Sequence, residues 1–259
     1  MMTKISNRQG KNLAVYSEGL DDAPVIIFSN SLGTDQGMWD AQVYGLKNNY
    51  KVIRYDTRGH GRSDVIPHST LANLGEDVID ILDALEIKQA HFCGISMGGI
   101  TGLWLAKNAP DRFFTITVAN SAAKIGQTEA WLERADQVEK QGLANLVTTT
   151  HSRWFSASFD YQHDALAQRT IESLANTPAL GYAEACRALA YADLRTDLKQ
   201  ITTPILVICG EKDPITTVQD GELIDSQIQN GVLTKIDASH LSNIECPEEF
   251  SQILAKFIS

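Results

Sequence analysis

The sequence predicts an α/β fold, and three observations carry that prediction. Short apolar runs recur along the chain, helical periodicities stand between them, and no flexible linker, internal repeat or low-complexity tract interrupts the alternation. Strands that alternate with helices and read as near-continuous apolar runs belong to a mostly parallel central sheet with helices on both faces.

In chain order the strand candidates are NLAVYSEG (12–19), PVIIFSN (24–30), KVIRYD (51–56), AHFCGI (90–95), FFTITVAN (113–120), PILVICG (204–210) and VLTKID (232–237). Between them, STLANLGEDVIDILDALEI and GITGLWLAKNA repeat apolar residues at the spacing of amphipathic helices. The stretch 122–198 breaks the rhythm. It offers helical segments such as TEAWLERADQVEKQGLANLVTT, HDALAQRTIESLAN and LGYAEACRALAYADLRTDL, but no strand. The βα rhythm resumes at PILVICG without a linker, so 122–198 is expected as a helical insertion, with 1–121 and 199–259 forming one core.

Composition narrows the class of function. With 259 residues, 43% hydrophobic and 21% charged, the chain is an ordinary globular mixture. The start MMTKISNRQG lacks the apolar stretch of a signal peptide, and no apolar run approaches the roughly 20 residues that span a bilayer, so a cytoplasmic protein with no membrane partner is expected. Cys93, Cys186, Cys209 and Cys246 form no CxxC pair or mixed cluster, which disfavours structural zinc and a disulfide framework. A formal net charge of -10 argues against nucleic-acid binding and repels anions at long range, so an anionic substrate must be held by local cations.

Gly94-Ile95-Ser96-Met97-Gly98 matches G-x-S-x-G, with a strand candidate before it and a helix candidate after it. That context is a nucleophile elbow, in which flanking glycines permit a sharp turn that lifts the serine hydroxyl clear of the sheet. A serine is a weak nucleophile without a base and an acid to orient it. Of the later histidines, His151 and His163 fall in the helical insertion, whereas His240 follows the last strand candidate, where catalytic groups of open α/β sheets collect. For the acid, Asp213 stands just past PILVICG. It also suits a turn before Pro214, and Glu211 and Asp220 are weaker substitutes. The N–H groups of Met97, after the nucleophile, and of Leu32, in the loop after an early strand, are the expected oxyanion donors.

SNSLGT, YDTRGHGRSD, GISMGG, GEKDPIT and ASHLSNIECPEEF, in this order over essentially the whole chain, resemble the α/β-hydrolase superfamily. Within it, SNSLGTDQGMWD, the GISMGG elbow, AAKIG, RWF and ASHLSNIECPEEF look like the 3-oxoadipate enol-lactonases of the β-ketoadipate pathway. Asn30-Ser31 stands where many such hydrolases carry His-Gly, and the resemblance treats DTRGHGRS as a structural loop. It implies a helical cap over 122–198 and hydrolysis of a small lactone or ester bearing a carboxylate, with no metal or organic cofactor. The oligomeric state stays open. For the carboxylate, Lys124, Arg134, Arg153 and Arg187 are candidates with Trp131 and Trp154 beside them, and Arg134 with Trp154 is the expected pair. Competing readings are another esterase, a carbon–carbon bond hydrolase or a cofactor-free haloperoxidase of the same frame, or a ligand receptor on this scaffold.

Overall fold

In a computed structural model, which describes residues 2–259, eight strands form one sheet: β1 (Met2–Ser6), β2 (Asn12–Gly19), β3 (Val25–Ser29), β4 (Lys51–Tyr55), β5 (Ala90–Ile95), β6 (Phe113–Ala119), β7 (Ile205–Gly210) and β8 (Gly231–Ile236). Their spatial order is β1-β2-β4-β3-β5-β6-β7-β8. The pairs β1–β2 and β2–β4 are antiparallel, and all the others are parallel. Every residue of β5 and β7 is buried, as near-continuous apolar strands require when both faces of the sheet are covered.

The helices outside the insertion are α1 (Asp40–Leu46), α2 (Leu71–Ala84) and α3 (Met97–Asn108), while α4 (Thr128–Gln141), α5 (Ala144–Trp154), α6 (Ala165–Asn176) and α7 (Ala179–Ala190) lie between β6 and β7. The chain closes with α8 (Val218–Gln227), α9 (Ser242–Glu245) and α10 (Pro247–Ile258). Helix α2 begins at a capping box, in which Thr70 and Asn73 satisfy each other's backbone N–H. Helix α3 lies against β3, β5 and β6, and its Gly102 fits beside Phe92 and Ile116, where a Cβ would crowd both.

The chain runs from β3 outward to β4 and then back across β3 to β5, so the strand order reverses between β3 and β5. Loops at the carboxyl ends of strands on either side of such a reversal diverge and leave a crevice. The loop after β3 and the β5–α3 turn both open there, and Gly98 N–H donates to the Asn30 carbonyl at 3.1 Å to tie them together.

Two helix candidates differ in extent. The run 128–149 divides at Gly142, whose φ of 72° belongs to a region that favours glycine, into α4 and α5. The run 180–198 leaves helix after Ala190. There Asp193 accepts from the N–H of Arg195 and Leu194 N–H donates to the Ala123 carbonyl, so local and tertiary bonds replace the helical ladder.

Candidate active site

At Ser96 the backbone takes φ 56° and ψ -112°, a conformation that costs a residue with a Cβ about 1–3 kcal/mol and persists only where the surroundings impose it. Three bonds impose it. Ser96 N–H donates to the Ala119 carbonyl at 3.0 Å, the Ser96 carbonyl accepts from Ser121 Oγ at 2.7 Å, and Gly98 is held to Asn30. A Cβ at Gly94 would meet the Gly98 carbonyl, and one at Gly98 would meet the Ser29 carbonyl, so the elbow closes only with glycine at both positions.

The structure places His240, which is 2% exposed, against Asp213, with His240 Nδ1 2.8 Å from Asp213 Oδ2. A carboxylate only accepts, so Nδ1 carries a proton and Nε2 is left free of it in the neutral ring. Asp213 Oδ2 also accepts from Asn120 Nδ2 at 3.1 Å and Thr216 Oγ1 at 2.8 Å. Its Oδ1 accepts from the N–H groups of Ile215 and Thr216. The turn role and the pairing with His240 thus coexist in one side chain. Burial alone would raise the Asp213 pKa; attraction to His240 and these hydrogen bonds outweigh it and hold the carboxyl below the usual range. Glu211 is exposed, and Asp220 caps α8 through Thr217, so neither reaches His240. His151 stacks on Tyr161 and His163 pairs with Asp160, both within the insertion.

Leu32 and Met97 flank the bond between Asn30 and Gly98. Among the described residues the Leu32 N–H donates to no protein acceptor. Met97 is the first residue of α3, where N–H groups have no intrahelical partner. Asn30 is structural: it donates to the Tyr55 carbonyl and accepts from the Trp39 indole. In the DTRGHGRS loop, Arg58 makes a buried ion pair with Asp77, and Asp56 accepts from the N–H groups of Gln36 and Arg62. His60 Nε2 accepts from the Gly33 N–H at 3.1 Å and so braces the loop that carries Leu32.

Ser96, Leu32 and His240 line one cleft, partly open to solvent, together with Arg134, Arg153 and Trp154 of the insertion. Arg134 lies over the Trp131 ring at 5.2 Å, and its charge also acts on the hydroxyl of buried Tyr182. Among the described residues neither Arg134 nor Arg153 has a carboxylate partner, whereas Lys124 pairs with Asp193, and Arg187 with Glu139 and Glu184. The Trp131 indole N–H is used by the Ile125 carbonyl at 2.6 Å. Two guanidinium groups thus line the cleft without a carboxylate partner among the described residues.

Sequence reasoning did not reach Asn120 or Glu245. Asn120, at φ 41° just past β6, donates to both Asp213 and the Ser239 carbonyl and accepts from Ser242 Oγ. The Glu245 carboxylate accepts from the N–H groups of Ser239 and Ser156 and from Ser156 Oγ, and Leu241 N–H donates to the Trp154 carbonyl at 2.9 Å. The His240 loop is therefore fastened to the segment of the insertion that bears Trp154. An asparagine's tolerance of left-handed backbone was the one signal available at position 120; nothing near position 245 distinguishes Glu245 from other surface acids.

Among the described residues no group of three or more His, Cys, Asp or Glu side chains is placed to hold a metal ion, and no helix is long and apolar enough to cross a membrane. Residues 24–247 match the family described as alpha/beta hydrolase fold. The chain is 61% identical over 254 residues to 3-oxoadipate enol-lactonase 1 of Acinetobacter baylyi, covering 98% of this chain and 96% of the relative. It is 47% identical to 3-oxoadipate enol-lactonase 2 of the same organism, over 93% and 90% of the two chains. Among solved structures, the enol-lactonase from Burkholderia xenovorans LB400 superposes with a TM-score of 0.96 at 36% identity, covering 99% of each chain.

Proposed function

The chain belongs to the α/β-hydrolase fold family and is an ester-hydrolysing enzyme, and we propose that it opens the ring of 3-oxoadipate enol-lactone to give 3-oxoadipate, as a cytoplasmic step in aromatic catabolism. The observation that carries this reading is the pair of unpaired guanidinium groups, Arg134 and Arg153, facing the cleft of Ser96 and His240. A neutral ester gains nothing from such a pair. A small lactone with a carboxylate gains both orientation and affinity.

In the proposed reaction, residues 122–198 act as the cap that supplies Arg134, Arg153 and Trp154, and the remaining chain supplies the reacting groups. Neutral His240 takes the Ser96 Oγ proton at Nε2 as the oxygen attacks the lactone carbonyl. The N–H groups of Leu32 and Met97 hold the resulting oxyanion. Collapse breaks the ring C–O bond, and His240 returns its proton to the departing enol oxygen, leaving an acyl-serine. Water then loses a proton to His240 as it attacks the acyl carbon, and collapse breaks the bond to Ser96 Oγ, which takes that proton back from His240. The product carries a new carboxylate, and its enol tautomerises to the ketone. Asp213 fixes the Nδ1–H tautomer and stabilises the imidazolium in both halves. None of these steps requires a metal or organic cofactor.

The test follows the loss of ultraviolet absorbance of the enol-lactone with purified protein. Rapid loss at micromolar enzyme is expected, together with a fall of at least about 10,000-fold in kcat for Ser96→Ala. No loss with the wild-type protein would remove the lactonase reading, while hydrolysis of an aryl ester that depends on Ser96 would still leave a serine hydrolase.

A further inference from the structure

A second cavity meets the cleft at the arginines. Its outer wall is formed by Gln127, Ala130 and Pro214, and it shares Trp131, Arg134 and Arg153 with the cleft of Ser96 and His240. Gln127, Ala130 and Pro214 are exposed, so this pocket opens to solvent, while Arg134 and Arg153 stand half-buried at the partition. The two guanidinium groups therefore face both the reacting groups and the outside. No carboxylate among the described residues neutralises either one, although Asp193 and Glu139 neutralise their neighbours Lys124 and Arg187.

Charge favours such a passage. A chain of net charge -10 repels an approaching anion over most of its surface. Hydrolysis then turns a substrate with one carboxylate into a product with two, and the second forms beside the His240–Asp213 pair, whose own carboxylate opposes it. Both entry and departure favour a path lined by unpaired positive charge.

We infer that the outer pocket is the port for anionic substrates and products, in which Arg134 and Arg153 pass a carboxylate between solvent and the cleft. The natural ligand of this port rests on the lactonase reading; the port itself does not, because any ester with a carboxylate reports on it. The probes are 4-nitrophenyl acetate and 4-nitrophenyl hydrogen succinate, of which only the second carries a carboxylate. At low ionic strength Gln127→Glu, at the rim, lowers the succinate-to-acetate ratio of kcat/KM by roughly three- to tenfold, and added salt restores it. Gln141→Glu, at the far end of α4, makes the same charge change and leaves that ratio within about twofold of wild type. Ala130→Trp, which narrows the mouth, lowers kcat/KM for both esters by roughly tenfold with an unchanged unfolding midpoint. A ratio in Gln127→Glu that matches Gln141→Glu, or an unaltered rate in Ala130→Trp, overturns the port. Failure of the wild-type protein on the enol-lactone, with these ester results intact, overturns only the lactonase reading.

Discussion

Arg134 and Arg153 oppose one another: burial first, and then the Arg134 charge, lower the pKa of Arg153. A carboxylate placed between them relieves that opposition and forms hydrogen bonds to charged donors. Arg134→Ala and Arg153→Ala should each raise KM for a carboxylate-bearing lactone by about 10- to 100-fold, with kcat changed less than about threefold. Steady-state kinetics on the two variants decide it, and an equal fall in kcat would place these residues in the chemistry instead of in binding. Sequence reasoning chose Arg134 among the four candidate cations, but which of them lack a carboxylate partner was beyond it, because pairing is tertiary. Asp193, Glu139 and Glu184 claim Lys124 and Arg187, and nothing in chain order announces which guanidinium goes without. Ser96, Asp213 and His240 could be singled out as candidates for the opposite reason: each follows a strand, and the carboxyl ends of neighbouring parallel strands must lie together. Asn120 also follows a strand, yet its donation to Asp213 depends on Ser239 and Ser242 arriving from the far end of the chain.

At the scale of elements, the apolar runs named β2 to β8 to within a residue or so: most residues of β3 to β7 are buried, and β8 was named by its apolar and β-branched residues although only Ile236 of it is buried. Strand β1 carries no such run. Only Ile5 of Met2–Ser6 is buried, and pairing with one edge of β2 defines it. One contact between insertion and core was equally unreadable, since it depends on a single carboxylate and stands beside others such as Arg169 with Asp40 and Ser69 N–H with Glu184. Glu245 holds Ser239 N–H beside His240 and Ser156 N–H beside Trp154, so the His240 loop and this segment of the insertion share one acceptor. Glu245→Ala leaves both N–H groups without this acceptor and should destabilise the fold by about 1–3 kcal/mol. Ser156→Ala removes the hydroxyl bonds to Glu245 and Ser158 and should cost about 1–2 kcal/mol. Because Ser156 touches no reacting group, a lowered kcat in Ser156→Ala, measured alongside its unfolding midpoint, shows that the cap sets the base. A kcat equal to wild type in both variants would mean that the His240 loop stands without the cap.

For the whole molecule, the response to acid follows from two buried imidazoles. Gly33 N–H can only donate, so His60 Nε2 is its acceptor, and the ring is neutral with its proton on Nδ1, toward the Arg58 carbonyl at 3.1 Å. Burial lowers the His60 pKa, more than the Arg58 carbonyl and Asp35 raise it, and burial likewise lowers that of His91. An unfolded chain protonates both near pH 6.5, whereas the folded chain does not until the pH reaches their lowered values. The unfolded state therefore binds more protons in that window, and stability falls as pH drops from about 6.5 toward those values, by up to about 1.4 kcal/mol per pH unit for each ring. Asp213 acts in a separate window. Its lowered pKa contributes stability above the ordinary carboxylate pKa of about 3.9, lost only as pH falls below that value through the folded-state pKa. Denaturant midpoints between pH 7.5 and 5 should thus decline in the wild-type protein and decline less steeply in the double variant His60→Gln, His91→Gln, even though that variant starts from a lower stability. Parallel curves would assign the acid response to other groups and refute a neutral, buried His60 beneath the loop that carries Leu32.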